Sequence, residues 1–154
     1  MEKTVEQSHT TQVQIIMPAH INGDGRLFGG QLVEWIDTVA AVVARRHAGC
    51  DVTTVAIDNL QFQQAGMLGE TVVLEGFLTW VGRTSMEVCV KTYVENLQGE
   101  QCCINTAYLV MVAVRYGKPV EIPRLRVETE EQRENWEAGV RRSALRKQRK
   151  VAQF

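Results

Sequence analysis

The segment QLVEWIDTVAAVVARRHAG, residues 31–49, constrains the fold more than any other part of the chain. Leu32, Val33, Trp35, Ile36, Val39 and Val43 recur so densely that a helix here is apolar nearly all round, and such a helix is buried rather than laid on a surface. Arg45, Arg46 and His47 suit its negative C-terminal end, and Gly49 is a plausible stop. Two glycines, Gly29 and Gly30, open it, and a carboxylate, Asp37, sits inside it. A carboxylate on a buried helix costs several kcal/mol unless it is paired, hydrogen-bonded or opened to a cavity. Asp37 therefore needs a partner or a function.

The surrounding pattern is strand-like. TQVQIIM alternates through Val13, Ile15 and Met17, the period of a strand with one buried face, and Pro18 ends it. The loop AHINGDGRLFGG holds four glycines, which permit close backbone approaches. Further strands are predicted over 52–63, 70–81, 84–95 and 101–115, separated by glycine turns that suit antiparallel hairpins. The expected fold is α+β: a long central helix wrapped by an antiparallel sheet of about five strands, plus a C-terminal helix. Open sheet edges are commonly closed by a second subunit, so a dimer is the smallest unit expected.

That second helix starts at Thr129, which with Gln132 has the spacing of a capping box. Its acidic residues come first and its basic ones last, the order the helix dipole favours. RRSALRKQRK, residues 141–150, carries six cations and no acid, within a chain of net charge -1. A solvated helix end is the simplest reading of this tail, and contact with a polyanion is the other. The layout is then a flexible leader over 1–10, a main domain over 11–124 and a charged helix over 125–154.

Hydrophobic residues at 45% and charged ones at 23% match ordinary globular domains and exclude a disordered or fibrous chain. Cys50, Cys89, Cys102 and Cys103 form no CxxC and no zinc spacing, so neither disulfides nor structural metal is expected, and a reducing compartment fits. With no signal-like start and no run of about 18 apolar residues, the reading is a soluble, cytoplasmic protein without membrane or nucleic-acid partners.

The chemistry concentrates between Gly29 and Asp37. Unpaired amides at the Gly29–Gly30 helix start can approach an oxygen that gains negative charge. Asp37 lies about two turns further on, around 10 Å along the axis, too far to serve the same site without a partner subunit or a bent path. Taken alone, Asp37 is either bonded to a loop amide or an arginine, or a general base or nucleophile in a cleft. Gly82, Arg83, Thr84 and Ser85 form a turn with a cation and two hydroxyls that could hold a phosphate, or an ordinary hairpin. Glu34 and His20 read as polar surface, and Asp58 as a residue satisfying backbone groups at an interface.

HINGDGRLFGGQLVEWIDTVAA, followed by VTTVAIDNLQF, GETVVLEG, VGRTSMEVCVKTYVEN and YLVMVAV, resembles the hotdog-fold acyl-CoA thioesterases, in the branch of the brain cytosolic acyl-CoA hydrolase and bacterial YciA-type enzymes. The match spans residues 11–124, although Ala65 stands where relatives often have proline. The resemblance implies acyl-CoA hydrolysis to free fatty acid and coenzyme A, at sites on a homodimer interface, with trimers of dimers known in the family. It implies that Asn22 and Asp37, from opposite subunits, are catalytic, with the Gly30 amide stabilising the oxyanion beside Gly29. It places coenzyme A phosphates and pantetheine at Gly82–Ser85, with Arg124 a weaker candidate. No cofactor is implied, since coenzyme A is part of the substrate. The alternative is a non-catalytic acyl-CoA-binding module on the same fold, which would have no use for a buried carboxylate. A hotdog dehydratase would want a histidine paired with an acid, and only His20 is near.

Overall fold

The computed structural model describes residues 1–58 and 60–153. In chain order the elements are β1 (Glu2–Thr4), β2 (Thr10–Ile15), a 3-10 turn (Pro18–His20), α1 (Gly29–Ala48), β3 (Asp51–Asp58), β4 (Thr71–Val81), β5 (Ser85–Glu95), β6 (Gln101–Arg115), β7 (Lys118–Pro119), β8 (Arg124–Arg126) and α2 (Glu130–Ala152). The main sheet runs β2-β4-β5-β6-β3, every pair antiparallel, with β7 appended to β6. The strand expected over 52–63 stops at Asp58; its Asn59 lies outside the described residues.

α1 lies under the sheet. Leu32, Trp35, Ile36, Val39, Ala40 and Val43 are buried against Val72, Leu74 and Leu78 of β4, Met86, Val88 and Val90 of β5, and Leu109 and Met111 of β6. At Gly76 the helix comes so close that an added Cβ would stand 2.6 Å from Val39 Cγ1 and 3.0 Å from Val43 Cγ2. Gly49 ends the helix in the left-handed region, φ 71°, and its N–H donates to Arg45 O, as a C-terminal glycine stop should. The helix is not covered all round. Glu34 and Thr38 are exposed in the single chain and Asp37 is half-buried, so one side stays open.

Two sequence expectations are corrected at the N-terminus. Residues 2–4, expected in a flexible leader, pair in parallel with β8, and Arg124 N–H donates to Met1 O. Val13, Ile15 and Met17, expected on the buried face, are each more than half exposed. Gln12 and Gln14 pair with Leu74 and Val72, which face α1, so the polar positions of β2 turn inward. Period-2 alternation fixes that two faces exist, while register decides which one meets the helix.

α2 packs on the opposite face of the sheet. Along β5, Met86, Val88 and Val90 join the α1 core, so the alternate residue Glu87 projects to the other side. Gly139 of α2 sits where a Cβ would come within 2.8 Å of Trp80 Cβ and 3.2 Å of Glu87 Oε1. Glu87 is fully buried. Thr79 Oγ1 donates to it at 2.6 Å, Arg142 grips it with Nε and Nη2 (2.7 Å for the shortest contact), and Arg146 Nη1 donates at 2.8 Å. Arg146 and Arg149 also bond Asp58, each at 2.9 Å. The arginines at 142, 146 and 149 are therefore not a solvated helix end, and Asp58 binds arginines rather than interface backbone. The Arg142 guanidinium also lies 3.7 Å over the Tyr108 ring. Burial works against the charge on Arg142, and the bonds to Glu87 outweigh it and raise its pKa above the ordinary value. At the helix start Thr129 Oγ1 accepts from Gln132 N–H, but the Gln132 side chain accepts from Glu128 N–H, one residue before the position a reciprocal capping box uses.

Candidate active site

The loop before α1 is folded around Asn22. Its side-chain Oδ1 accepts from the amides of Asp24 at 2.9 Å and Arg26 at 3.2 Å, and Asn22 N–H donates to Arg26 O. With the side-chain oxygen occupied, the Asn22 NH₂ is an unused donor among the described residues. Phe28 N–H donates to His20 O and Leu27 N–H to Gly66 O, which ties the loop to its surroundings. The first two amides of α1, on Gly29 and Gly30, have no acceptor among the described residues, as helix geometry dictates. A cavity of about 270 Å³ opens here, lined among others by Asn22, Leu27, Gly29, Leu32, Phe62 and Ile104. A Cβ on Gly30 would fall 2.6 Å from Phe28 Cε1, so a side chain there would displace that ring.

Asp37 is not among the residues lining this cavity. Its Oδ1 accepts from Thr54 Oγ1 at 2.7 Å, across to the edge strand β3. Among the described residues neither a loop amide nor an arginine takes the carboxylate; a threonine hydroxyl does. Thr54 is the site residue sequence reasoning missed, because VTTV reads as any strand and its partner lies 17 residues away. Within one chain Asp37 is thus outside the cavity lined by Asn22 and Gly29.

Gly82–Ser85 is a tight hairpin, with Gly82 N–H donating to Ser85 O at 2.8 Å. Arg83 is exposed and 3.5 Å from Glu121. Ser85 pairs with Val112, which pairs with Thr53, so the turn and the neighbour of Thr54 sit in one row across three strands, about 10 Å apart. Gly82, Arg83 and Ser85 line a groove beside α2, and Thr84 and Arg124 do not; Arg124 lies on the β1–β8 ribbon.

Other nucleophiles and bases are committed elsewhere. Burial pushes the Cys89 thiol up to about 12, out of the thiolate range. His20 is packed edge-on against Trp35, ring centroids 4.9 Å apart, with Nδ1 accepting from Met17 N–H. Expected as polar surface, it instead braces the loop. Glu34 is exposed, as expected. No cluster of potential metal ligands occurs among the described residues.

The thioesterase superfamily model matches residues 24–103, which include the Gly29–Gly30 helix start, Asp37 and the Gly82–Ser85 turn. The chain belongs to the thioesterase superfamily. The hotdog architecture is that of this family: one helix enclosed by a curled antiparallel sheet. The chain is 37% identical to the uncharacterized acyl-CoA thioester hydrolase YkhA of Bacillus subtilis, over 94% of this chain and 86% of that one. It is 32% identical to the rat acetyl-coenzyme A thioesterase over 86% of this chain, and spans about a quarter of that relative's length. Among solved structures, an apo-hexameric acyl-CoA thioesterase superposes with TM-score 0.92 at 39% identity, covering 96% of both chains. The Staphylococcus aureus acyl-CoA hydrolase, solved with butyryl coenzyme A and coenzyme A, superposes with TM-score 0.93 at 26% identity, covering 99% of this thioesterase and 94% of that chain. That enzyme has also been solved with one Asp, one Asn or one Thr changed to Ala.

Proposed function

We propose that this thioesterase hydrolyses acyl-CoA to a free fatty acid and coenzyme A, with Asp37 and Asn22 drawn from two subunits of a homodimer. The observation that carries the reading is a division of labour: Asn22 and Gly29, the latter opening the helix with Gly30 beside it, line the cavity, while the half-buried Asp37 carboxylate does not. Donors alone polarise a thioester carbonyl, and a carboxylate alone supplies the base; a second copy of the chain brings the two together. In this reading the Gly30 N–H, with Gly29 beside it, stabilises the oxyanion, and Asn22 orients the carbonyl or the water. Asp37 either removes a proton from water, which adds to the carbonyl carbon, or attacks that carbon itself. In either case the C–S bond breaks, and the thiolate of coenzyme A leaves and takes up a proton; where Asp37 is the nucleophile, water then hydrolyses the Asp37–acyl anhydride, releasing the fatty acid and restoring the carboxylate.

Thr54 is a positioning residue, holding Asp37 by its hydroxyl. The residue types altered in the S. aureus hydrolase, Asp, Asn and Thr, are those of Asp37, Asn22 and Thr54. Gly82–Ser85 receives the phosphate and pantetheine end, about 10 Å across the strands from Thr53. The hexamer among its neighbours supports a trimer of dimers. No metal or redox cofactor enters the reaction as written. The four free cysteines accord with a cytoplasmic site of action.

The test is thiol release from a panel of acyl-CoAs, short to long, by wild type, Asp37→Ala and Thr54→Val, with folding checked by circular dichroism. Wild type should turn over, Asp37→Ala should lose on the order of 10² to 10⁴ in kcat while staying folded, and Thr54→Val should fall between them. Binding of acyl-CoA by wild type without thiol release would instead establish the non-catalytic binding module.

A further inference from the structure

β3 carries both Thr54, which holds the Asp37 carboxylate, and Asp58, which is held by α2, and the two residues are four apart. In a regular strand, residues an even number apart face the same side of the sheet. Here they face opposite sides. Thr54 pairs with Met111 of the α1 core and its hydroxyl also meets Met111 Sδ at 3.3 Å, whereas Asp58 pairs with Tyr108 and meets Arg146 and Arg149 on the α2 side. The cause is a β-bulge: the register with β6 steps from Thr54–Met111 to Ala56–Val110, so Val55 is the extra residue and the alternation reverses past it. Val52 and Ile57, an odd number apart, both pack on the α1 core for the same reason.

Little else holds this strand. β3 is the edge of the main sheet, pairs with β6 alone, and none of its residues is fully buried in the single chain. Beyond the bulge its end is fixed by Asp58, whose side chain is 14% exposed and takes Arg146 Nη1 and Arg149 Nη2, each at 2.9 Å. Arg146 Nη1 also donates at 2.8 Å to Glu87, which has no exposure. A buried ionic anchor on α2 thus ends on Asp58, three residues past the bulge that aims Thr54. Lys147 and Lys150 of the same helix line the groove beside the Gly82–Ser85 turn and take no part in this chain of contacts.

We propose that Asp58 is a positioning residue for Asp37: the Arg146 and Arg149 clamp on Asp58 holds the Val55 bulge, and the bulge aims the Thr54 hydroxyl at the carboxylate. The proposal rests on the acyl-CoA hydrolase reading, in which Asp37 is base or nucleophile, and it makes α2 part of the catalytic assembly. Without the clamp the end of β3 is free to shift, and a displacement of about 1 Å at a reacting group is felt strongly in rate.

The test is a double-mutant cycle in kcat, measured by thiol release at saturating acyl-CoA. Asp58→Asn should lower kcat about tenfold with KM changed less than about twofold. In a Thr54→Val background the same substitution should change kcat by less than about twofold, because the contact it acts through is already gone. Asp51→Asn, at the opposite end of β3, should leave kcat as in wild type. If circular dichroism shows that Asp58→Asn does not fold, Arg149→Gln, which removes one half-exposed arm of the clamp, goes through the same cycle with a smaller drop expected and the same criteria. Equal fold losses in both backgrounds overturn the proposal, since Asp58 would then act independently of Thr54. A loss confined to KM also overturns it, placing Asp58 in the service of the groove that Val55 and Ala56 line. An unchanged kcat with wild type active overturns the clamp and leaves the hydrolase reading standing, whereas inactivity of wild type on every acyl-CoA removes both.

Discussion

The two helices lie on opposite faces of one sheet and are held by opposite physics. α1 meets its face with Leu, Ile, Val and Trp, reaching within a methyl group of Gly76. α2 meets the other face with three arginines on two carboxylates, one of which, Glu87, has no exposure at all. Apolar packing is non-directional, so its position is set by the fit of volumes, as at Gly76. A buried carboxylate gripped by a guanidinium fork is set by direction as well, since both charges must be desolvated and matched. The difference teaches that the helix bearing the proposed base is held by volume, and the helix bearing the cationic groove by geometry.

Several variants sharpen or break that contrast. Glu87→Ala strands Arg142 and should destabilise the fold by about 3–5 kcal/mol, read as a lower denaturant midpoint. Glu87→Leu combined with Arg142→Leu removes both charges and should recover much of that loss; if the double variant is as unstable as the single, the ionic account of α2 is wrong. Gly76→Ala inserts a methyl group between sheet and α1 and should cost about 1–3 kcal/mol, visible in thermal melts. A smaller effect belongs to His47, which is buried with Nε2 on Pro123 O and Nδ1 without a partner among the described residues. Burial lowers its pKa below 6.5. The unfolded state therefore binds more protons, and stability should fall as pH drops below about 6.5 by at most about 1.4 kcal/mol per pH unit until the folded-state pKa is passed. A His47→Gln variant should lose that part of the slope. Smallest of all, breaking the exposed Arg45–Asp51 pair with Asp51→Asn should move stability by no more than about 0.5 kcal/mol.

The sequence was most legible where the signal is local. α1 starts at Gly29 and stops at Gly49 as its glycines indicate, and β4, β5 and β6 fall within a residue of their predicted bounds, because turn glycines and strand periodicity are written into neighbouring residues. The free amides of Gly29 and Gly30 follow from helix geometry alone. Distant pairings were not legible. Thr54 on Asp37 depends on which strand forms the edge beside α1, and Glu87 with Arg142 joins residues 55 apart. The inward turn of Gln12 and Gln14 was hidden for the same reason: it is a matter of register with β4. For the proposed site, residue types pointed to Gly30 and Asp37 and the family resemblance to Asn22, whereas the division of α2 into buried arginines and groove-facing lysines needed three dimensions.

Under the proposed mechanism, Gly76 has a consequence for activity as well as for packing. The missing side chain is a notch, and Val39 and Val43 are the teeth that drop into it, the first only two residues beyond Asp37. A notch of this kind stops the helix from sliding along the strands, so it sets where the carboxylate comes to rest opposite Thr54. Selection acting on turnover would then guard a residue with no functional group of its own, and filling the notch would detune the reaction before it unfolded the protein.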